Sequence, residues 1–131
     1  FRYNKKISAK YNKIMGYTHY WSSTSAFSDQ AWNDFIKETR SIFDTTKIPL
    51  ANSHGEKNTN PEITDIDIAF NGVEDDSHES CVISKSPVEF EFCKTARKPY
   101  DFIVVQILKL ARKYNPSFDL RSDGGNKVFD D

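Results

Sequence analysis

Cysteine, glycine and methionine are scarce in this chain of 131 residues, and each shortage removes a class of protein. The two cysteines, Cys81 and Cys93, are too few for a disulfide framework. Both stand among apolar neighbours and read as reduced, partly buried thiols. The five glycines form no Gly-rich phosphate loop, no dinucleotide fingerprint and no Gly-x-Ser-x-Gly elbow. No apolar run approaches the roughly 20 residues that a membrane-spanning helix requires. No charged-then-apolar leader is visible either. A soluble intracellular protein, in a host cytoplasm or a virion, is therefore expected, neither secreted nor membrane-bound. The formal net charge is −1, so nothing draws the chain as a whole to nucleic acid or to an acidic membrane. Binding of that kind would need a local patch.

What is present is a folding composition. Ten Phe, six Tyr and two Trp supply enough aromatic area for one core in a chain of this length, with no need for metal or disulfide staples. Residues 1–14 stand apart, with Arg2, Lys5, Lys6, Lys10 and Lys13 and no acid, and are expected to be a basic leader. Nucleic acid, if bound at all, would be met through that leader. A single domain is expected over 15–125 and a polar tail over 126–131.

Gly16 to Trp21 is aromatic and β-prone and predicts the first strand. Ser28 then suits an N-cap, with Trp32, Phe35, Ile36, Thr39, Ile42 and Phe43 on one face of the following helix. Ala51 to Pro61 is a polar loop. Ile63 to Phe70 alternates, with Ile66, Ile68 and Phe70 facing one way, and the Asn71-Gly72 dipeptide ends the run in a turn. Val73 to Ser80 is an acidic excursion. Cys81-Val82-Ile83 predicts a short strand, and Val88 to Phe92 another with Phe90 and Phe92 on its apolar face. A second helix from Tyr100 to Tyr114 carries Ile103, Val104, Ile107, Leu108 and Ala111 inward, its stripe widened by Phe102, Val105 and Leu110. Ser117 to Arg121 is the last strand. This order predicts an α+β fold, with two helices on one face of a mostly antiparallel sheet. The topology expected is ferredoxin-like (split βαβ), or a variant with an extra short strand.

Between the Val88–Phe92 strand and the second helix runs Cys93-Lys94-Thr95-Ala96-Arg97-Lys98-Pro99-Tyr100-Asp101. Three cations and a hydroxyl stand where a helix begins, and unpaired amides and a positive dipole end favour an anion there. Met15 to Trp21, Ile68 to Gly72, His78-Glu79, Phe92 to Asp101 and Ser122-Asp123-Gly124 occur in that order. Together they resemble a family of small uncharacterised proteins of bacteriophages, actinobacteria and large DNA viruses. That resemblance implies a viral or mobile-element setting and supplies no activity and no catalytic residues. The segment ahead of Met15 departs from the family's pattern.

Folding would gather His19, Cys93, Lys94, Thr95, Arg97, Lys98, Tyr100, Asp101 and Asp123 as candidate ligand- or anion-binding residues. Arg97 would clamp a phosphate or carboxylate and Lys94 would add a point charge. The function expected is an accessory module binding an anionic ligand or a protein partner through residues 93–101. One alternative is a small enzyme acting on a phosphate-bearing or nucleotide substrate, with Cys93 or Thr95 as nucleophile and His19 as base. Another is a structural component of the virion. No metal or cofactor is implied, since His19, His78, Glu79 and the cysteines match no recognised ligand spacing. Base stacking on the open sheet face is disfavoured, because Glu89 and Glu91 alternate with Phe90 and Phe92 and would turn one face of that strand acidic.

Overall fold

The computed structural model describes residues 17–131. The basic leader over 1–14 and the Met15-Gly16 pair lie outside the described residues. The elements in chain order are β1 (Thr18–Ser22), α1 (Asp29–Thr45), β2 (Glu62–Ile63), β3 (Asp67–Phe70), β4 (Cys81–Ser84), β5 (Glu91–Lys94), α2 (Asp101–Tyr114) and β6 (Asp119–Ser122). A short 3-10 turn, Glu74–Asp76, precedes β4. The fold is α+β. No helix among the described residues is long and apolar enough to cross a membrane.

The strands divide into two antiparallel sheets where one was expected, ordered β5-β1-β6 and β2-β3-β4. In the first, β1 lies between β5 and β6 and runs antiparallel to both. Because α2 connects β5 to β6 across β1, this half has the split βαβ connectivity, and the whole is compatible with a ferredoxin-like arrangement. The second sheet holds the extra strand. Its edge strand β4 approaches β5 without forming a ladder, and the connection is made by Glu79, whose N–H donates to the Lys94 carbonyl (3.1 Å). Its Oε1 also accepts the Lys94 N–H (2.7 Å).

Both helices form for the reasons their patterns give. Ser28 Oγ accepts the Ala31 N–H at 3.1 Å, and Trp32, Phe35 and Thr39 are buried along α1. Along α2 the buried set is Ile103, Val104, Ile107, Leu108 and Ala111. Phe102 departs from the expected stripe and is 61% exposed. It sits in the first turn, beyond the reach of the sheet. Pro99 falls two residues ahead of the helix, not at its first position.

Three further expectations are corrected. The run from Ile63 to Phe70 is broken by a turn in which the Thr64 hydroxyl accepts the N–H groups of Ile66 and Asp67 (3.2 and 3.0 Å). Ile66 is thereby carried to the surface, 67% exposed, while Ile68 and Phe70 stay buried. The strand expected over Val88 to Phe92 begins only at Glu91, because Val88 is tied to Ser23 through both backbone groups. Finally, the segment over 126–131 is no polar tail. Phe129 is buried in the core, and its carbonyl accepts from Arg112 at 2.7 Å.

Candidate functional site

The register of the first sheet decides which side chains meet. His19 pairs with Cys93 on one side and Ser122 on the other, so all three rise from the helix-facing side of the sheet. His19 is fully buried. Its Nε2 lies 2.6 Å from Asp101 Oδ1 at the start of α2, and its Nδ1 lies 2.9 Å from Ser122 Oγ at the end of β6. The Thr95 hydroxyl donates to the same Asp101 oxygen at 2.5 Å. A carboxylate can only accept, so Nε2–H is the donor to Asp101, and in the tautomer with its proton there Nδ1 is the acceptor for the Ser122 hydroxyl. Tyr17 and Phe129 close over the ring edge-on, at centroid distances of 5.1 and 5.6 Å.

Of the candidates named from sequence, His19, Thr95 and Asp101 therefore meet directly. Cys93 lies against them in the register but is fully buried, and its thiol donates to the Glu79 carbonyl at 3.5 Å. Tyr100 donates to that same carbonyl at 2.6 Å. Burial first, and then the two neighbouring thiols, hold the Tyr100 phenol far above the ordinary tyrosine range. Burial likewise pushes the Cys81 thiol well up, with Cys93 adding to it. Neither cysteine is hydrogen-bonded to His19; the hydroxyl that meets its Nδ1 is that of Ser122.

The cations arrange themselves differently from the expected cradle. The N–H groups of Thr95 and Ala96 both donate to the Tyr17 carbonyl (3.1 and 3.3 Å), and Lys98 Nζ donates to the Asp75 carbonyl (2.7 Å). The first turn of α2 carries a carboxylate of its own, Asp101. Arg97 is exposed and lies over the Tyr17 ring, 3.7 Å from its centroid. It is held there by two consecutive left-handed residues, Ala96 (φ 52°) and Arg97 (φ 56°). Such backbone costs about 1–2 kcal/mol per non-glycine residue. Among the described residues, neither Arg97 nor Lys94 forms an ion pair with a carboxylate.

Asp123 belongs to the opposite, open face. Its two oxygens accept the Thr18 N–H and the Tyr20 hydroxyl, each at 3.0 Å. Partial burial, and after it the Asp123 carboxylate, raise the Tyr20 phenol above its usual value. On this face Tyr20 stands between Phe92 of β5 and Arg121 of β6, and Lys94 stands opposite Thr18. Phe90 (63% exposed) and Phe92 (44%) are 5.8 Å apart between ring centroids, and Phe90 is 6.0 Å from Tyr20. Contrary to expectation, this strand turns its aromatic side outward, not its acidic one. Glu91 and Cys93 face the helices, and the two phenylalanines face out. Glu89 and Arg121 border the groove beside this patch, which encloses about 420 Å³.

Ser122, Glu79 and Tyr17 are present in the sequence motifs but stand outside the candidate binding residues, and Phe129 falls in the expected tail. Ser122 was legible only as part of the Ser-Asp-Gly motif, whose alternation with Leu120 marks it as an inward position. Tyr17 and Phe129 act through ring edges and Glu79 through its backbone and a carboxylate aimed at a backbone amide, contacts that leave no pattern in a sequence. The geometry thus defines an α+β protein with an acid–histidine–hydroxyl line of hydrogen bonds, centred on the buried His19, on one side of a three-stranded sheet and an aromatic patch on the other. No family model, curated protein or solved structure matches the chain.

Proposed function

We propose that the protein is a ligand-binding module whose open sheet face takes a small molecule with a planar ring and an anionic group, the chemistry of a mononucleotide. The observation that carries this is the cluster of exposed Phe90 and Phe92 with half-buried Tyr20, one ring on β5, one just ahead of it and one on the neighbouring β1. Soluble domains rarely leave clustered aromatics open without a partner. A planar ring stacked on such a patch gains about 1–3 kcal/mol. Lys94, on the same face and two residues from Phe92, supplies the charge for the anionic group, and Arg97 on Tyr17 stands at the same end of β1.

Carboxylates nearby set the size of the ligand. Asp119 is paired with Arg121 at 3.2 Å, and Asp123 is satisfied by Thr18 and Tyr20. Glu89 is left at the rim of the groove, where it would repel a second phosphate. A single nucleotide-like ligand fits this balance better than a long polyanion. The motif resemblance supports a viral or phage accessory role for such a module.

Titration with nucleoside 5′-monophosphates and the matching nucleosides, followed by intrinsic fluorescence, tests the reading. Phe92→Ala should weaken both classes about tenfold or more, whereas Lys94→Ala should weaken only the phosphate-bearing one. Silence of the native protein towards every mononucleotide at millimolar concentration would overturn it.

A further inference from the structure

Going beyond that binding reading, we infer that Ser122 is a base-activated nucleophile and that the protein cleaves small esters at a pocket on the free edge of β6. Three observations converge on this one hydroxyl. First, Ser122 Oγ, His19 Nδ1, His19 Nε2 and Asp101 Oδ1 form an unbroken line of hydrogen bonds at 2.9 and 2.6 Å. That is nucleophile, base and orienting carboxylate in sequence, recognised by roles and geometry and not by order along the chain. Second, the base is immobilised from every side. Thr95 holds the Asp101 oxygen, and Tyr17 and Phe129 pack against the ring. Third, Ser122 is half-buried and not sealed. It lines a polar pocket of about 210 Å³ whose wall carries Arg112, Asn126 and Phe129, with the carboxylates Asp119 and Asp130 at its border.

A purely structural serine at the end of a strand would be satisfied by its turn, and Ser122 Oγ does accept the Gly124 N–H at 3.0 Å. That bond uses a lone pair and leaves the hydroxyl proton for His19. The residue is therefore fixed by its turn and polarised by its base at once.

Ser122 Oγ attacks the ester carbonyl carbon while its proton passes to His19 Nδ1. The tetrahedral adduct collapses, the C–O bond to the alcohol breaks, and the alcohol leaves with the proton from Nδ1. Water then gives a proton to Nδ1, its oxygen attacks the acyl carbon, and Ser122 recovers that proton as the carboxylic acid departs. Asp101 steadies the imidazolium in both halves. Asn126, on the wall of the same pocket, is the side chain to receive the charge that develops on the carbonyl oxygen, since Arg121 alternates to the open face and is paired there with Asp119.

Incubation with diisopropyl fluorophosphate, which replaces its fluoride by a serine oxygen and releases HF, followed by peptide mass mapping, tests the assignment on the native chain. One adduct, on Ser122, is expected, forming about a hundredfold faster than in the guanidinium-unfolded chain. Ser122→Ala should remove the adduct and the hydrolysis of p-nitrophenyl acetate, with the circular-dichroism spectrum unchanged. Asp101→Asn should slow labelling at least about tenfold with Ser122 still present. No adduct on the folded native protein, or an adduct on any other residue, would overturn the inference. Nucleotide binding at the open face is read separately by fluorescence, so either result stands without the other.

Discussion

Gly72 follows Asn71 at the end of β3, in the dipeptide that the sequence marks as a turn, yet its role is close approach. A Cβ built there would sit 2.2 Å from the Asp76 carbonyl oxygen, a backbone atom that cannot step aside. The Asn71 side chain holds the surrounding loop by accepting from Gly72 and His78 N–H groups and donating to the carbonyls of Ser53 and His78. Gly72→Ala should therefore cost about 1–3 kcal/mol in urea unfolding, the range for overpacking. The cysteines give a second prediction at this scale. Both are fully buried, and Cys81 is held in its thiol form by burial. Ellman's reagent should leave both unreacted in the native state and titrate two thiols after unfolding. A fast-reacting thiol in the folded protein would mean that Cys93 is reachable after all and would reopen it as a nucleophile.

The elements differ in how much of themselves they disclose. Both helices were legible almost to the residue, because a 3.6-residue period and a Ser cap are local signals that tertiary packing reinforces. Leu108 shows it: placed inward by spacing, it is fully buried in α2. Leu108→Ala should cost about 2–5 kcal/mol by chemical denaturation, and a loss below about half a kcal/mol would mean the site collapses freely. The strands were less legible. Alternation over Ile63 to Phe70 is genuine, but a Thr64 hydroxyl bonding two successive amides overrides it and ejects Ile66. On β5 the mistake concerned which face is inner. Cys93, a small hydrophobe, fills the core side, so Phe90 and Phe92 turn outward and Glu91 turns towards the helices. Period alone cannot say which of two alternating sets is buried. The candidate site was half legible for a related reason. Its motif residues His19, Thr95 and Asp101 meet, whereas Ser122 entered only through the pairing of β6 with β1, which no local pattern encodes.

At the scale of the molecule, two small sheets must act as one body without a continuous ladder between them, and the Glu79 backbone is the joint. Its carbonyl accepts both Tyr100 Oη (2.6 Å) and Cys93 Sγ (3.5 Å), while its N–H and side chain both engage Lys94. Tyr100 stands just ahead of α2 and is fully buried, so its hydroxyl couples the second helix to the junction of the sheets. Tyr100→Phe keeps the ring and removes that bond together with the longer contact of the hydroxyl to the Lys94 carbonyl (3.4 Å). It should cost about 1–2 kcal/mol, since the Glu79 carbonyl keeps a weaker thiol donor. Burial raises the folded-state pKa of this phenol above that of the unfolded chain, which sets the sign of its pH dependence. The stabilisation is fully present below the ordinary tyrosine pKa of about 10 and is lost as pH rises beyond it, because only the unfolded chain then releases the proton. The native protein should thus lose stability between about pH 10 and 11.5 more steeply than Tyr100→Phe. Urea midpoints at stepped alkaline pH would measure the difference. Equal slopes for the two proteins would show that the junction does not depend on a protonated Tyr100. Amide exchange offers an independent check, because a weakened joint should speed exchange in β4 and at Lys94 before it reaches the α2 core.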